Sequence, residues 1–182
     1  MGNRRIGRKR LYGVEKAGQK IDLESGAGIS GAVVSSTQHR QGQELITEIA
    51  IDLGGSAAII AGGGAGQTVG VLNTDSSIAK LTVAKFGIVT EVRAVCMEAC
   101  SRDVDVVLSA DDSVIQGGTP GSQTSVLTAC TPAGKDNSAD LDAGTVFNIY
   151  IVDGDGTGSE AAINDGKLLI YVHGFEVPQD AA

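Results

Sequence analysis

The densest β-branched stretch of the chain is residues 81–97, LTVAKFGIVTEVRAVCM, in which two runs of alternating apolar positions meet at Gly87. Alternation at a period of two predicts strands over residues 78–86 and 88–97, and the lone glycine marks either a tight bend or a bulge. Residues 45–53 alternate as cleanly. Leu45, Thr47, Ile49, Ile51 and Leu53 share one face, Glu48 and Asp52 the other, which is the pattern of a strand buried on one side. Further strands are expected at residues 29–36, 104–110, 114–116, 125–130, 145–152 and 168–177. Between them, the polar run 37–43, the GGTPGS stretch at 117–122 and the polar run 136–144 read as turns or loops. The small, Gly-rich residues 54–70 suggest a long loop or a flat region packed on another chain.

Residues 1–31 show neither a strand period nor a helical stripe, and glycine recurs at positions 2, 7, 13, 18, 26, 28 and 31. They read as an extended arm on a body of residues 32–182. About eight strands, no helical periodicity and no fixed repeat make the expected architecture all-β: a jelly-roll-like, two-sheet β-sandwich with an extended basic N-terminal arm. Composition fits. Of 182 residues 42% are hydrophobic but only 3% aromatic, with no Trp, so the core must be built from Val, Ile, Leu and Ala, which favour strands. A chain of this size buries roughly 70% of its unfolded surface, enough for a real core. No run approaches the roughly 20 apolar residues of a membrane-spanning helix.

Charge divides the chain. The net value of −8 conceals residues 1–20, where seven basic groups face one Glu for a balance of +6, and a remainder with 7 basic and 21 acidic groups, or −14. Arg4, Arg5, Arg8, Lys9 and Arg10, with Ile6, Leu11 and Tyr12 among them, form the best candidate binding segment. Arginine forks onto carboxylates as readily as onto phosphates. Nucleic acid is the less favoured partner, because Tyr12 is the only aromatic near the cluster and the acidic body would repel a phosphate backbone. Docking on protein is expected instead. A segment this polar would fray alone, so its order would come from other chains.

Catalytic chemistry finds little support. GGGAG at 62–66 is followed by no Gly-Lys-Ser/Thr and fails the dinucleotide spacing. In DGDGTG, Asp153, Asp155 and Thr157 imitate the first oxygen ligands of a calcium loop, but Asn164 stands where the bidentate Glu belongs, so a turn is favoured over a metal site. Cys96 and Cys100 are spaced as half a metal site with no second half. His39 and His173, the only histidines, have no local acidic orienter, and no Ser sits in a nucleophile elbow. No enzyme and no cofactor is expected. Three cysteines and an opening MGNRRIGRKRLYG without an apolar run predict reduced thiols and synthesis in a cytosol.

Four phrases carry a family resemblance: MGNRRIGRKRLYGVEKAG at the start, STQHRQGQELITEIAIDLG, LTVAKFGIVTEVRAV, and DGKLLIYVHGFEVP near the end. Together they resemble a small virion protein of tailed phages of marine bacteria, cyanophages included. The three cysteines depart from the pattern. The resemblance implies a capsid decoration or cement protein on the phage head surface. It would be made in the bacterial host cytoplasm, form a homo-oligomer such as a trimer, and dock on the major capsid protein through the arm, with no membrane involved. Two alternatives remain open: a head-to-tail connector or tail structural protein, and a host-surface glycan-binding module using the Asp153 loop with calcium.

Overall fold

The central strands form where the apolar period is two, and among the described residues all strands pair antiparallel. The computed structural model describes residues 18–25, 33–54, 58–60, 77–100, 104–109, 123–127, 136–140, 147–153, 161–163 and 165–176. Its elements are β1 (Val33–Gln41), β2 (Glu44–Asp52), β3 (Ala58–Ile60), β4 (Ala79–Leu81), the one-turn helix α1 (Val83–Phe86), β5 (Ile88–Glu98), β6 (Val104–Ser109), β7 (Gln123–Leu127), β8 (Asp136–Asp140), β9 (Phe147–Asp153), β10 (Ala161–Ile163) and β11 (Lys167–Phe175). A five-stranded sheet has the order β1-β2-β11-β5-β8, a four-stranded sheet the order β4-β9-β6-β7, and β3 pairs with β10 as a separate ribbon. The chain is all-β with a single helical turn among the described residues.

The two larger sheets share one core. Ile49, Ile170 and Ala94 stand side by side across β2, β11 and β5, and Ile51, Leu168 and Cys96 form the next row. All six are buried, in one cluster with Val104, Val106 and Leu108 of β6 and Ile149 and Ile151 of β9. Each fully buried Val, Leu or Ile side chain among them contributes roughly 1.5–3 kcal/mol. The buried Thr47 hydroxyl has a partner: the Gln38 amide donates 3.0 Å to it and 3.0 Å to the Lys85 carbonyl. On the reverse face of the four-stranded sheet, the cross-strand partners Val107 and Tyr150 make a second, small buried cluster.

Several sequence expectations need correction. The polar run 37–43 is mostly strand: β1 continues to Gln41 and turns through Gly42 and Gln43 into β2. An edge strand bonded to one neighbour tolerates polar side chains, which hides it from an apolar period. The same holds for β8, at the far edge, within the stretch read as loop. Strand pairing also enters the Gly-rich stretch, where β3 pairs with β10. The expected strand over 78–86 is a three-residue strand followed by α1. The helical turn buries Phe86 while leaving Val83 exposed. Gly87 then makes the bend, at φ +69 and ψ −161. Residues 29–32 and 114–116 lie outside the described residues.

Gly87 has a second reason to be glycine. A Cβ there would lie 2.3 Å from the Phe175 carbonyl oxygen, and a Cβ on Gly174 would lie 2.0 Å from that of Phe86. The end of α1 and the end of β11 thus touch backbone to backbone, beside a register shift between His173 and Gly174.

Candidate docking surface

The root of the basic segment is built into the sheet edge. Gln19 and Gln38 exchange backbone hydrogen bonds of 2.8 Å, which lays residues 18–20 antiparallel to β1 on its free side. From there the Ser36 hydroxyl donates to the Ile21 carbonyl at 2.6 Å, Leu23 enters the core at 6% exposure, and the Ser25 hydroxyl donates to the Ile78 carbonyl at 2.6 Å. Lys85, projecting from α1, pairs with Glu24 at 2.7 Å and Asp22 at 3.6 Å and donates to the Asp22 carbonyl at 3.0 Å. The Glu24 hydrogen bond, with the Asp22 charge adding to it, raises the Lys85 ammonium above its ordinary range. Residues 18–25 therefore belong to the body in contact and energy. An open groove of 470 Å³ runs between them and β1.

The outer face of the five-stranded sheet is partly apolar and open. Cross-strand register sets three rows on it: Ser35, Ala50, Leu169 and Val95; Thr37, Glu48, Tyr171 and Arg93; His39, Ile46, His173 and Glu91. Ser35, Ala50 and Leu169 of the first row floor a groove of 370 Å³ bounded by Asp52, Lys167 and Met97, the last 60% exposed. Phe175 is exposed at the opposite end. His173 Nδ1 lies 3.0 Å from a Glu44 carboxylate oxygen. Arg93 stands 3.8 Å from Glu91, Lys167 pairs with Glu98, and Arg40 with Glu176. The Glu98 hydrogen bond, reinforced by its charge and that of Asp52, raises the Lys167 ammonium. Among the described residues no cation pairs with Glu48, and carboxylates outnumber cations on this face.

Sequence reasoning saw no link between His39 and His173, yet the register places them in one row with Ile46 between them. Only the pairing of β2 with both β1 and β11 creates that row. Of the expected binding residues, Arg4, Arg5, Ile6, Arg8, Lys9, Arg10, Leu11 and Tyr12 lie outside the described residues, as do Asp155 and Thr157. Asp153 closes β9. No group of three or more His, Cys, Asp or Glu among the described residues could hold a metal ion.

The expectation of reduced thiols is corrected in one respect: Cys96 is disulfide-bonded and Cys100 is free. The Cys96 sulfur, with no proton to donate, merely touches the Glu98 carbonyl at 3.3 Å. An odd cysteine count had concealed the bond, since one thiol must be left over in a single chain. Cys100 packs against Gly166, where burial, then the charges of Asp165 and Glu98, push its thiol up to about 11. Such a thiol is a poor nucleophile at neutral pH.

No protein-family model, curated protein or solved structure matches the chain.

Proposed function

We propose that this protein is a non-enzymatic structural component of a phage virion, a decoration or cement protein of the head. In this reading the β body sits on the outer capsid surface as a symmetric oligomer, and the basic segment anchors it to the major capsid protein. The observation that carries the reading is the charge division: a +6 stretch joined to a −14 body, with its root held by Gln19, Leu23 and Lys85 against the sheet edge. A root that firm transmits load from an anchored segment to the body. Surface ion pairs alone contribute only about 0–1 kcal/mol each, so an apolar contact of Ile6 must add to those of Arg4, Arg5 and Arg8. The jelly-roll wrapping belongs to the same proposal. It is supported by a chain that passes repeatedly between the two sheets, from β2 to β4, back to β5, across to β6 and β7, and back again through β8, β9 and β11.

The test is binding to heads that lack the protein. A chain with Arg4, Arg5 and Arg8 all changed to Gln should stay folded, because every described root contact remains, and should lose binding. Undiminished binding would refute the proposal.

A further inference from the structure

We propose that the outer face of the five-stranded sheet is the seat of residues 9–16, Lys9-Arg10-Leu11-Tyr12-Gly13-Val14-Glu15-Lys16, from a second copy of this chain. The inference goes beyond capsid anchoring, leaving Arg4, Arg5 and Arg8 for the shell, and needs no particle to operate.

The face offers what that segment lacks. Ala50 and Leu169, with Val95 next in the same cross-strand row, form an apolar strip at whose end Met97 is 60% exposed, a place for Tyr12 and Val14, which share one face of an extended segment. Set against the cations Arg93 and Lys167, Asp52 bounds the strip, Glu48 stands one row on, unpaired among the described residues, and Glu91 and Glu44 lie farther along the same face. These carboxylates suit Arg10 and Lys16, which share a face with Tyr12 and Val14 in an extended segment. The same charges argue against two such faces stacking directly, because like carboxylates would be pressed together.

Direction selects a second copy over the chain's own segment. The Gln19–Gln38 pairing is antiparallel, so the described chain, followed back from Lys20 to Gly18, points toward the Gly42 end of β1. The apolar row lies the other way, at Ser35 and Ala50, and reaching it within one molecule takes a full reversal. A Cβ at Gly18 would lie 2.3 Å from Thr37 Cγ2 and 2.6 Å from His39 Cε1, so the chain is already tight against β1 where a reversal would start. A neighbour's face needs no reversal. Eight extended residues span up to about 26 Å, ample to cross five strands spaced about 4.8 Å apart.

The experiment uses the full chain with p-benzoylphenylalanine in place of Tyr12, prepared in light and ¹⁵N-labelled forms, mixed, irradiated and mapped by peptide mass spectrometry. The expected result is adducts joining heavy and light copies, with the acceptor peptide in β2, β5 or β11. Adding Glu48→Lys and Met97→Lys, both on the solvent face, should lower their yield about tenfold or more without altering the melting curve. Adducts confined to single copies would overturn the proposal in favour of an intramolecular seat. Adducts elsewhere, or none, would overturn it outright while leaving head binding to be judged by its own assay.

Discussion

Gly87→Ala tests whether the backbone crossing of α1 and β11 closes the fold. Two costs are separable. The first is conformational: φ +69 with ψ −161 falls in a region almost reserved for glycine, and holding an L-residue there costs about 1–3 kcal/mol. The second is steric: the new methyl would lie 2.3 Å from the Phe175 carbonyl oxygen and 2.6 Å from its carbon, both rigid backbone atoms. Forcing the strand end away costs a further 1–3 kcal/mol or so, as overpacking does. The sum, about 2–6 kcal/mol, is a large part of a total stability of about 5–15 kcal/mol. Gly42 supplies the internal control. Its φ is +66, but nothing lies within 4 Å of a Cβ built there, so Gly42→Ala carries only the dihedral cost of about 1–2 kcal/mol. Urea unfolding should give both variants the wild-type slope, with the Gly87→Ala midpoint clearly the lower. At about 2–4 °C per kcal/mol, Gly87→Ala should melt at least several degrees below Gly42→Ala. Equal midpoints would mean that the contact between Gly87 and Phe175 is not tight, and the account of this junction would be wrong.

Four further outcomes are expected. Leu23→Ala should cost about 2–4 kcal/mol by calorimetry, a loss too large for a segment lying loosely on the surface. Lys85→Met should speed proteolysis within residues 18–25 several-fold at pH 8. Because the folded lysine titrates above its ordinary 10.5, its contribution is complete below that pH and fades above it, so the wild type should approach the variant's rate only beyond pH 10.5. Alkylation of the unfolded, unreduced chain should modify one cysteine, whereas modification of all three would remove the Cys96 disulfide. In the native chain at pH 8, a Cys100 thiol raised from 9.0 to about 11 is about a hundredfold less ionised. Greater thiolate nucleophilicity recovers part of that, so labelling should run about tenfold slower than in the unfolded chain.

How much of this was legible in the sequence depended on what each strand faces. Residues 45–53, 88–97 and 168–175 announced themselves because each lies inside the five-stranded sheet, with one face on the core and the other in solvent. β1 and β8 did not: they are edges, and Thr37, His39, Arg40 and the Asp-rich β8 carry no apolar alternation. α1 was hidden because residues 83–86 satisfy an alternating pattern and a helical turn alike. The choice between them is made by Gly87, Phe86 and the distant Gly174. Strand order was also beyond local pattern, since β11 inserts between β2 and β5 through pairs at least 69 residues apart in sequence. The outer-face rows, the histidine alignment and the apolar groove follow from that insertion. Opposite charge on the first 20 residues and on the body was visible at once. Where the root of the basic stretch attaches was not, because its anchors Leu23, Gln19 and Lys85 look unremarkable until β1 and α1 are placed.

The copy number of this chain per purified particle, measured by quantitative mass spectrometry against the major capsid protein, tests most directly whether it decorates the head. A decoration or cement protein repeats with the capsid lattice and should be present in hundreds of copies, an expectation set by symmetric closed assemblies on a large shell. A count of about a dozen or fewer would contradict the proposal and move the protein to the tail or the connector, with its basic segment a clamp on a ring.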